Sequence, residues 1–308
     1  MRWIPTSFLI TLAAAGGLSA QVLTVDQAVD EAMTTNPAVQ AAEARAGAGV
    51  QRTKQAKGHR WGRLDLAETF NYSNNPAEVF ALTLNQGRFD FDEFFSSDPN
   101  NPAGISTWMT TLDLTLPIYT GGKIGTRVEQ AETMAGADEE TWRHTAELVA
   151  FETSTAYVNL AKARENVELL GKARQTTVEH VKLAEAYAKQ GLILDADVLD
   201  ARIYLSEMDD LFQQATNGAQ LAEAALNFHM GAAQATPRSL APLPQPRSIN
   251  GELGDWTSAA VEKRHDLGAA RQQLAAGRLE TKAARSGYLP EIAVIGRYGL
   301  YDDTIFGS

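Results

Sequence analysis

The sequence contains no cysteine. That excludes disulfides, thiolate metal sites, a cysteine nucleophile and a lipid-modified N-terminal cysteine. Histidine is scarce: His59, His144, His180, His229 and His265 are scattered without metal-ligand spacing. Cations are outnumbered, 27 Lys and Arg against 38 Asp and Glu, for a net charge of −11. Such a chain lacks the clustered basic surface that a nucleic-acid groove needs to neutralise phosphates. No paired carboxylates, triad or cofactor loop stands at usable spacing, so neither enzyme chemistry nor a cofactor is expected. Gly121-Gly122-Lys123 lacks the spacing of a phosphate loop, and the Asp-rich run 90–98 lacks the frame of a calcium loop.

Long apolar runs are missing as well. Residues 1–20 read as an export signal: Arg2 is positive, Phe8 to Leu18 are mostly apolar, and small residues lead to Ala20. That apolar run is too short to span a bilayer, which takes about 20 residues of helix, and nothing later is longer. The chain is therefore expected to be exported, and any membrane crossing must use strands.

Residues 25–60 have helical composition, with Asp26 as the expected N-cap and a break at Asn36-Pro37. Proline has no amide to donate and disfavours helix in the residue before it. Residues 64–73 then alternate: Leu64, Leu66, Phe70 and Tyr72 share one face, Asp65, Thr69, Asn71 and Ser73 the other. Glu68 interrupts the apolar face. Residues 74–106 read as a loop rich in Asn, Asp and Phe, and 107–118 alternate again through Trp108, Leu112, Leu114, Leu116 and Ile118. Strands of about ten residues suffice to cross a bilayer at a tilt, although a soluble half-buried hairpin alternates in the same way. Trp108, Tyr72 and Tyr119 suit either a membrane boundary or simple packing.

Pro117 removes a ladder donor where the second strand is ending, and Gly121 and Gly122 permit backbone angles closed to other residues before a very long helix begins. Residues 123–190 carry one apolar stripe every seven residues: Val128, Ala135, Trp142, Val149, Ala156, Ala163, Leu170, Thr177 and Ala184. Heptads sustained over this length mean a coiled coil, here about 100 Å at 1.5 Å per residue. Gly191 stops it. Residues 195–231 form a second helix whose stripe runs from Val198 through Leu205, Phe212 and Ala219 to Leu226, and the proline-rich stretch 232–251 is a linker.

The chain then begins again. Shifted by 228 positions, Ala32, Ala41, Gly49 and Thr53 fall on Ala260, Ala269, Gly277 and Thr281, and Leu64, Leu66, Phe70 and Tyr72 fall on Ile292, Val294, Tyr298 and Leu300. An internal repeat is expected, with a helical segment at 254–286 and a strand at 290–301.

The motifs "TLPIYTGGKI" (115–124), "LNQGRF" (84–89) and "YAKQGLILDADVLDAR" (187–202), in this order of elements, resemble the TolC family of outer-membrane efflux proteins. The resemblance implies a mainly α fold with membrane β-strands, in which long antiparallel coiled-coil helices form an α-barrel tunnel and the strands contribute to a trimeric transmembrane β-barrel. It implies a homotrimer in outer-membrane lipid, extending through the periplasm to a periplasmic adaptor protein and an inner-membrane pump. Its function would be a passive exit duct for small molecules or proteins in a tripartite efflux or type I secretion system. The turn at Gly191 and Leu192, followed by Asp195 and Asp197, corresponds to the tip that meets the adaptor. Read from the residues alone, it is equally a plain helix-helix turn with Asp195 as N-cap. Pro117, Gly121 and Gly122 mark the barrel-to-helix junction.

Where the family carries two full repeats and four strands, this sequence shows about one and a quarter repeats and three strands. A fragment or a truncated copy is expected, and the alternative function is a non-conducting periplasmic coiled-coil scaffold.

Overall fold

The computed structural model describes residues 22–246, 248 and 251–305; the export-signal reading lies outside them. The elements, in chain order, are α1 (Val25–Thr35), α2 (Pro37–Gly58), β1 (Arg63–Ser73), α3 (Pro76–Asn85), α4 (Phe91–Ser96), β2 (Ile105–Tyr119), α5 (Lys123–Lys189), α6 (Asp195–His229), α7 (Leu253–Lys263), α8 (His265–Arg285) and β3 (Ile292–Asp302). Single 3-10 turns at His59–Trp61 and Ser286–Tyr288 precede β1 and β3. No described helix is long and apolar enough to cross a membrane.

The expected break at Asn36-Pro37 divides 25–60 into α1 and α2. Three expectations change. The helical segment at 254–286 is two helices, broken at Arg264. The cap of α1 is Thr24, not Asp26: Thr24 Oγ1 accepts from the Gln27 amide, and the Gln27 side chain accepts from the Thr24 amide. This reciprocal box satisfies two amides, which Asp26 inside the first turn does not. The stretch 74–106 is not all loop. Asn75 caps α3 by accepting from the amides of Ala77 and Glu78, with Pro76 in the first turn, and Asp90 caps α4 in the same way.

The elements fall into two compact units. In the first, formed by the stretch up to Glu43 with Trp142–Lys263, α6 packs antiparallel on α5. Every stripe residue expected on the two helices is buried or half-buried. Phe212 lies over Gly171, where an added Cβ would stand 3.4 Å from the ring. Arg164–Glu223, Arg174–Asp209 and Arg202–Glu185 ion pairs link the two helices along their length.

The core of this unit is Tyr157, Leu160, Leu226 and Met230, joined by Leu23, Ala28 and Ala156. The linker is laid against it rather than left free. Leu23 donates to the Ser239 carbonyl at 2.7 Å, and its own carbonyl accepts from Ala241 at 2.8 Å. The fully buried Tyr157 directs its hydroxyl at the carbonyls of Leu23 and Ala241, 2.8 and 2.9 Å away. Arg238 holds both carboxylate oxygens of Glu31 and the Asn227 carbonyl oxygen. Burial pushes the Tyr157 hydroxyl above the ordinary phenol value, with its bond to Ala241 and the charge of Arg164 acting against this.

The second unit comprises Ala44–Thr141 and the stretch from Arg264. Its helical part packs through small residues: Ala46, Ala137, Ala269, Ala276 and Ala283 are all buried. A Cβ on Gly49 would stand 3.1 Å from the Ala135 Cα, and one on Gly136 would overlap Gln272. Its strands form an antiparallel sheet in the order β1-β2-β3. Leu66 stands opposite Leu112, which stands opposite Tyr298; Leu64 stands opposite Leu114; and Phe70 pairs with Trp108, their rings 5.0 Å apart. One face of the sheet is therefore apolar through all three strands, and Leu64, Leu66 and Tyr298 are more than three-fifths exposed on it. The other face sets Asp65 opposite Asp113 and Asp113 opposite Arg297. Among the described residues, β1 and β3 are each paired on one side only.

The 228-residue shift holds in the fold. It carries α1 onto α7 residue for residue, places α8 at the start of α2, and places β3 over β1 within one residue.

Candidate functional site

Two groups of residues stand out, one in each unit. The first is the strand-to-helix junction in the second unit. Pairing of β2 with β1 ends at Thr115, and pairing with β3 slips between Pro117 and Tyr119, leaving Ile118 as a bulge. Pro117, with no amide to donate, thus stands where the ladder is already ending. The chain then turns at Thr120–Lys123, closed by the Lys123 amide on the Thr120 carbonyl at 3.0 Å. Both central residues are glycines in the left-handed region, Gly121 at φ 59° and Gly122 at φ 81°. A turn with two positive φ values is strained for any residue with a Cβ. Gly121 is also closely packed: a Cβ there would lie 2.8 Å from the Leu289 Cβ and 3.0 Å from the Ser286 carbonyl. Gly122 faces open space.

From that turn α5 starts with its Thr126 amide on the Gly122 carbonyl at 3.0 Å. Lys123 reaches Glu291 at 3.0 Å, ahead of β3, and Arg127 and Gln130 both hold Glu280 on α8. These hydrogen bonds, Gln130 first, hold the Glu280 carboxyl below its ordinary value. Sequence reasoning missed Leu289 and Gly62 here. The Gly62 signal was available, since a glycine directly ahead of a strand is a usual site for positive φ. Its φ is 76°, and a Cβ would overlap the Thr115 carbonyl.

The second group is the tip between α5 and α6 in the first unit. Lys189 is the last residue of α5, and Gly191 follows at φ 71°. The Leu192 amide bonds the Tyr187 carbonyl at 3.0 Å and the Gly191 amide bonds the Ala188 carbonyl at 2.9 Å. This is a Schellman end, satisfying carbonyls the helix leaves open. The cap of α6 is Leu194 rather than Asp195, and Asp197 reaches back to accept from the Leu194 amide at 3.0 Å. Asp195 and Asp197 both lie in the first helical turn, where the macrodipole favours carboxylates. Leu192 is 65 % exposed and Leu194 is 71 % exposed. Leu199 and Ile203 extend this apolar surface onto α6; they were not singled out from the sequence, although the run Leu192-Ile193-Leu194 marks the region. Arg202 grips Glu185 across the hairpin and holds its carboxyl below the ordinary value. Among the described residues no cluster of three or more metal-binding side chains occurs.

The profile of the outer membrane efflux protein family matches residues 28–232. The chain belongs to this family. It is an outer-membrane protein with the TolC-like channel-tunnel fold, in a family of channel-type efflux proteins rather than enzymes. Among solved structures it is similar to the Campylobacter jejuni CmeC outer membrane channel, with a TM-score of 0.70 and 15 % identity over 92 % of this chain and 61 % of that one. A membrane protein from Pseudomonas aeruginosa gives 0.68 and 20 % identity over 92 % of this chain and 66 % of that one. CusC, whose structures address folding and transmembrane channel formation, gives 0.68 and 16 % identity over 91 % and 60 %. A sequence comparison with curated proteins finds no match. The chain thus spans somewhat under two thirds of the length of the channels it resembles.

Proposed function

We propose that this efflux-family protein contributes to a passive exit duct, assembled as a homotrimer with its strands in the outer membrane and its helices in the periplasm. The observation that carries the reading is the junction at Pro117, Gly121 and Gly122. It joins a sheet with one apolar and one polar face to a coiled-coil helix of 67 residues. In lipid every backbone group must be paired, so a strand survives there only in a closed barrel. The one-sided β1 and β3 need partner strands there, which neighbouring copies can supply. The polar face with Asp65, Asp113 and Arg297 then lines water, and the apolar face meets lipid.

The tip is proposed to dock on a periplasmic adaptor that links the duct to an inner-membrane pump, in a tripartite efflux or type I secretion system. Leu192 and Leu194 provide apolar contacts beside the acidic first turn of α6, and the pump drives transport of small molecules or proteins.

The test is assembly and conductance. Protein purified in detergent is expected to have three times the mass of the exported chain and to give stepwise conductance in planar bilayers. A monomer without conductance refutes the duct. Separately, Leu192→Asp is expected to weaken adaptor binding by about ten-fold or more, because a charge is brought into an apolar contact. Unchanged affinity removes the docking role while leaving the duct in place.

A further inference from the structure

The segment between β1 and β2 does more than connect two strands. Together with Asp303, just beyond β3, it lines a half-open cavity of about 470 Å3, within the usual range for small-molecule sites. All its walls belong to the second unit, at the end of the sheet remote from the Gly121-Gly122 turn.

The cavity has two chemical characters. One is aromatic. Phe80 on α3, Phe89 in the turn and Phe94 on α4 all line it, and their ring centroids lie 5.3, 5.7 and 5.5 Å apart, each ring touching the other two. The other is acidic. Arg88 and Asp303 pair at 3.1 Å and cancel one another. Asp90 is fixed by accepting from the amides of Asp92 and Glu93, at 2.7 and 3.2 Å. The Glu93 carboxylate, also on the lining, is exposed and has no ion-pair partner among the described residues. The lining therefore carries two uncompensated negative charges beside three aromatic rings.

Aromatic faces attract cations, and more strongly where water is partly excluded. Carboxylates do the same and repel anions. A bare metal ion fits poorly, since phenylalanine offers no ligand atom and no metal-holding cluster occurs among the described residues. We propose that this loop cavity binds small amphipathic organic cations, the apolar body resting against the cluster of Phe80, Phe89 and Phe94 and the positive nitrogen beside Glu93. The site does not depend on the duct reading, and its failure would leave that reading untouched.

The full chain in a neutral detergent is titrated with rhodamine 6G, a fluorescent organic cation, and with fluorescein, an anion of similar size. Fluorescence anisotropy reports binding, and circular dichroism confirms that each variant is folded. Rhodamine 6G is expected to bind and fluorescein is not. Phe94→Leu keeps the apolar volume but removes a ring, and is expected to weaken the cation about five-fold. Glu93→Gln is expected to weaken it by a similar factor, and Glu93→Lys to abolish binding. Equal binding of the two dyes, no binding of rhodamine 6G, or binding unaltered by Glu93→Lys overturns the proposal.

Discussion

The two glycines of the junction differ in a way that mutagenesis can separate. Both hold positive φ, 59° at Gly121 and 81° at Gly122, but only Gly121 has neighbours where a Cβ would go. Gly122→Ala therefore incurs the left-handed backbone cost alone, about 1–2 kcal/mol. Gly121→Ala incurs the same cost and also drives a methyl to 2.8 Å from the Leu289 Cβ and 3.0 Å from the Ser286 carbonyl. Real Cβ contacts of 2.8 Å do not persist, so the 3-10 turn before β3 must give way. Overpacking of this kind adds about 1–3 kcal/mol, for a total of about 2–5 kcal/mol. The leucine side chain is half-exposed and can be removed. Leu289→Gly in the Gly121→Ala background removes the Cβ that the new methyl meets and should recover part of the excess, whereas the Ser286 carbonyl contact remains. Equilibrium unfolding in detergent, followed by far-UV circular dichroism, gives the differences, and the double-mutant cycle isolates the Leu289 contact. Equal destabilisation by the two alanines, with no coupling to Leu289, would show that the turn only requires positive φ and does not lock against the strand repeat.

Further predictions concern other parts of the chain. Tyr157→Phe removes the hydroxyl held by the Leu23 and Ala241 carbonyls and should cost about 1–3 kcal/mol, with faster proteolysis in the 232–246 stretch as the readout. Because burial raises the Tyr157 hydroxyl, unfolding releases a more acidic phenol, and the wild-type chain should lose stability as pH rises past the ordinary phenol value; the Phe variant should lack this component. The Glu185 carboxyl is lowered by Arg202, so its contribution is present above the ordinary carboxylate value and disappears as pH falls through its lowered one. Hydrogen exchange should then show the tip opening on acidification, with Glu185→Gln removing the pH dependence. On the apolar sheet face, Glu68→Lys should destabilise the protein in lipid vesicles by about 2–4 kcal/mol, while Glu68→Gln is neutral or stabilising; the reverse order would mean that this face does not meet lipid.

What could be read from the sequence was what repeats at short range. The seven-residue stripe from Val128 to Ala184 is covered along the whole of α5 because helix geometry returns those positions to one side. Strand phase was legible for the same reason: a period of two leaves no choice of face once the apolar residues are known. The glycines at 121, 122 and 191 announced turns because positive φ is costly for other residues. The helices inside 74–106 were missed because α3 and α4, at 10 and 6 residues, are too short for a period to show. Their caps, Asn75-Pro76 and Asp90, were the available signal. The Arg238–Glu31 pair and the Tyr157 bridge were not legible at all. They join residues 207 and 134 positions apart, and no local pattern encodes such a meeting.

The sheet joins these two kinds of information. Its apolar face follows from alternation alone, but the charges test whether alternation placed them safely. Asp65 stands directly opposite Asp113, an arrangement that destabilises a sheet unless cations offset it. They do: Arg63 reaches Asp65 at 2.6 Å, and Arg297, contributed by the repeated strand, pairs with Asp113. Glu68 is the exception on the apolar side, and it sits at the middle of β1, not at an edge. Its carboxylate accepts from the Thr110 hydroxyl directly across the strand pair. The row Asp65-Asp113-Arg297 is complete only when the second copy of the repeat adds β3, so the repeat supplies a compensating charge along with a third strand. A β2–β1 hairpin without β3 would leave Asp113 facing Asp65 with Arg63 alone to offset both.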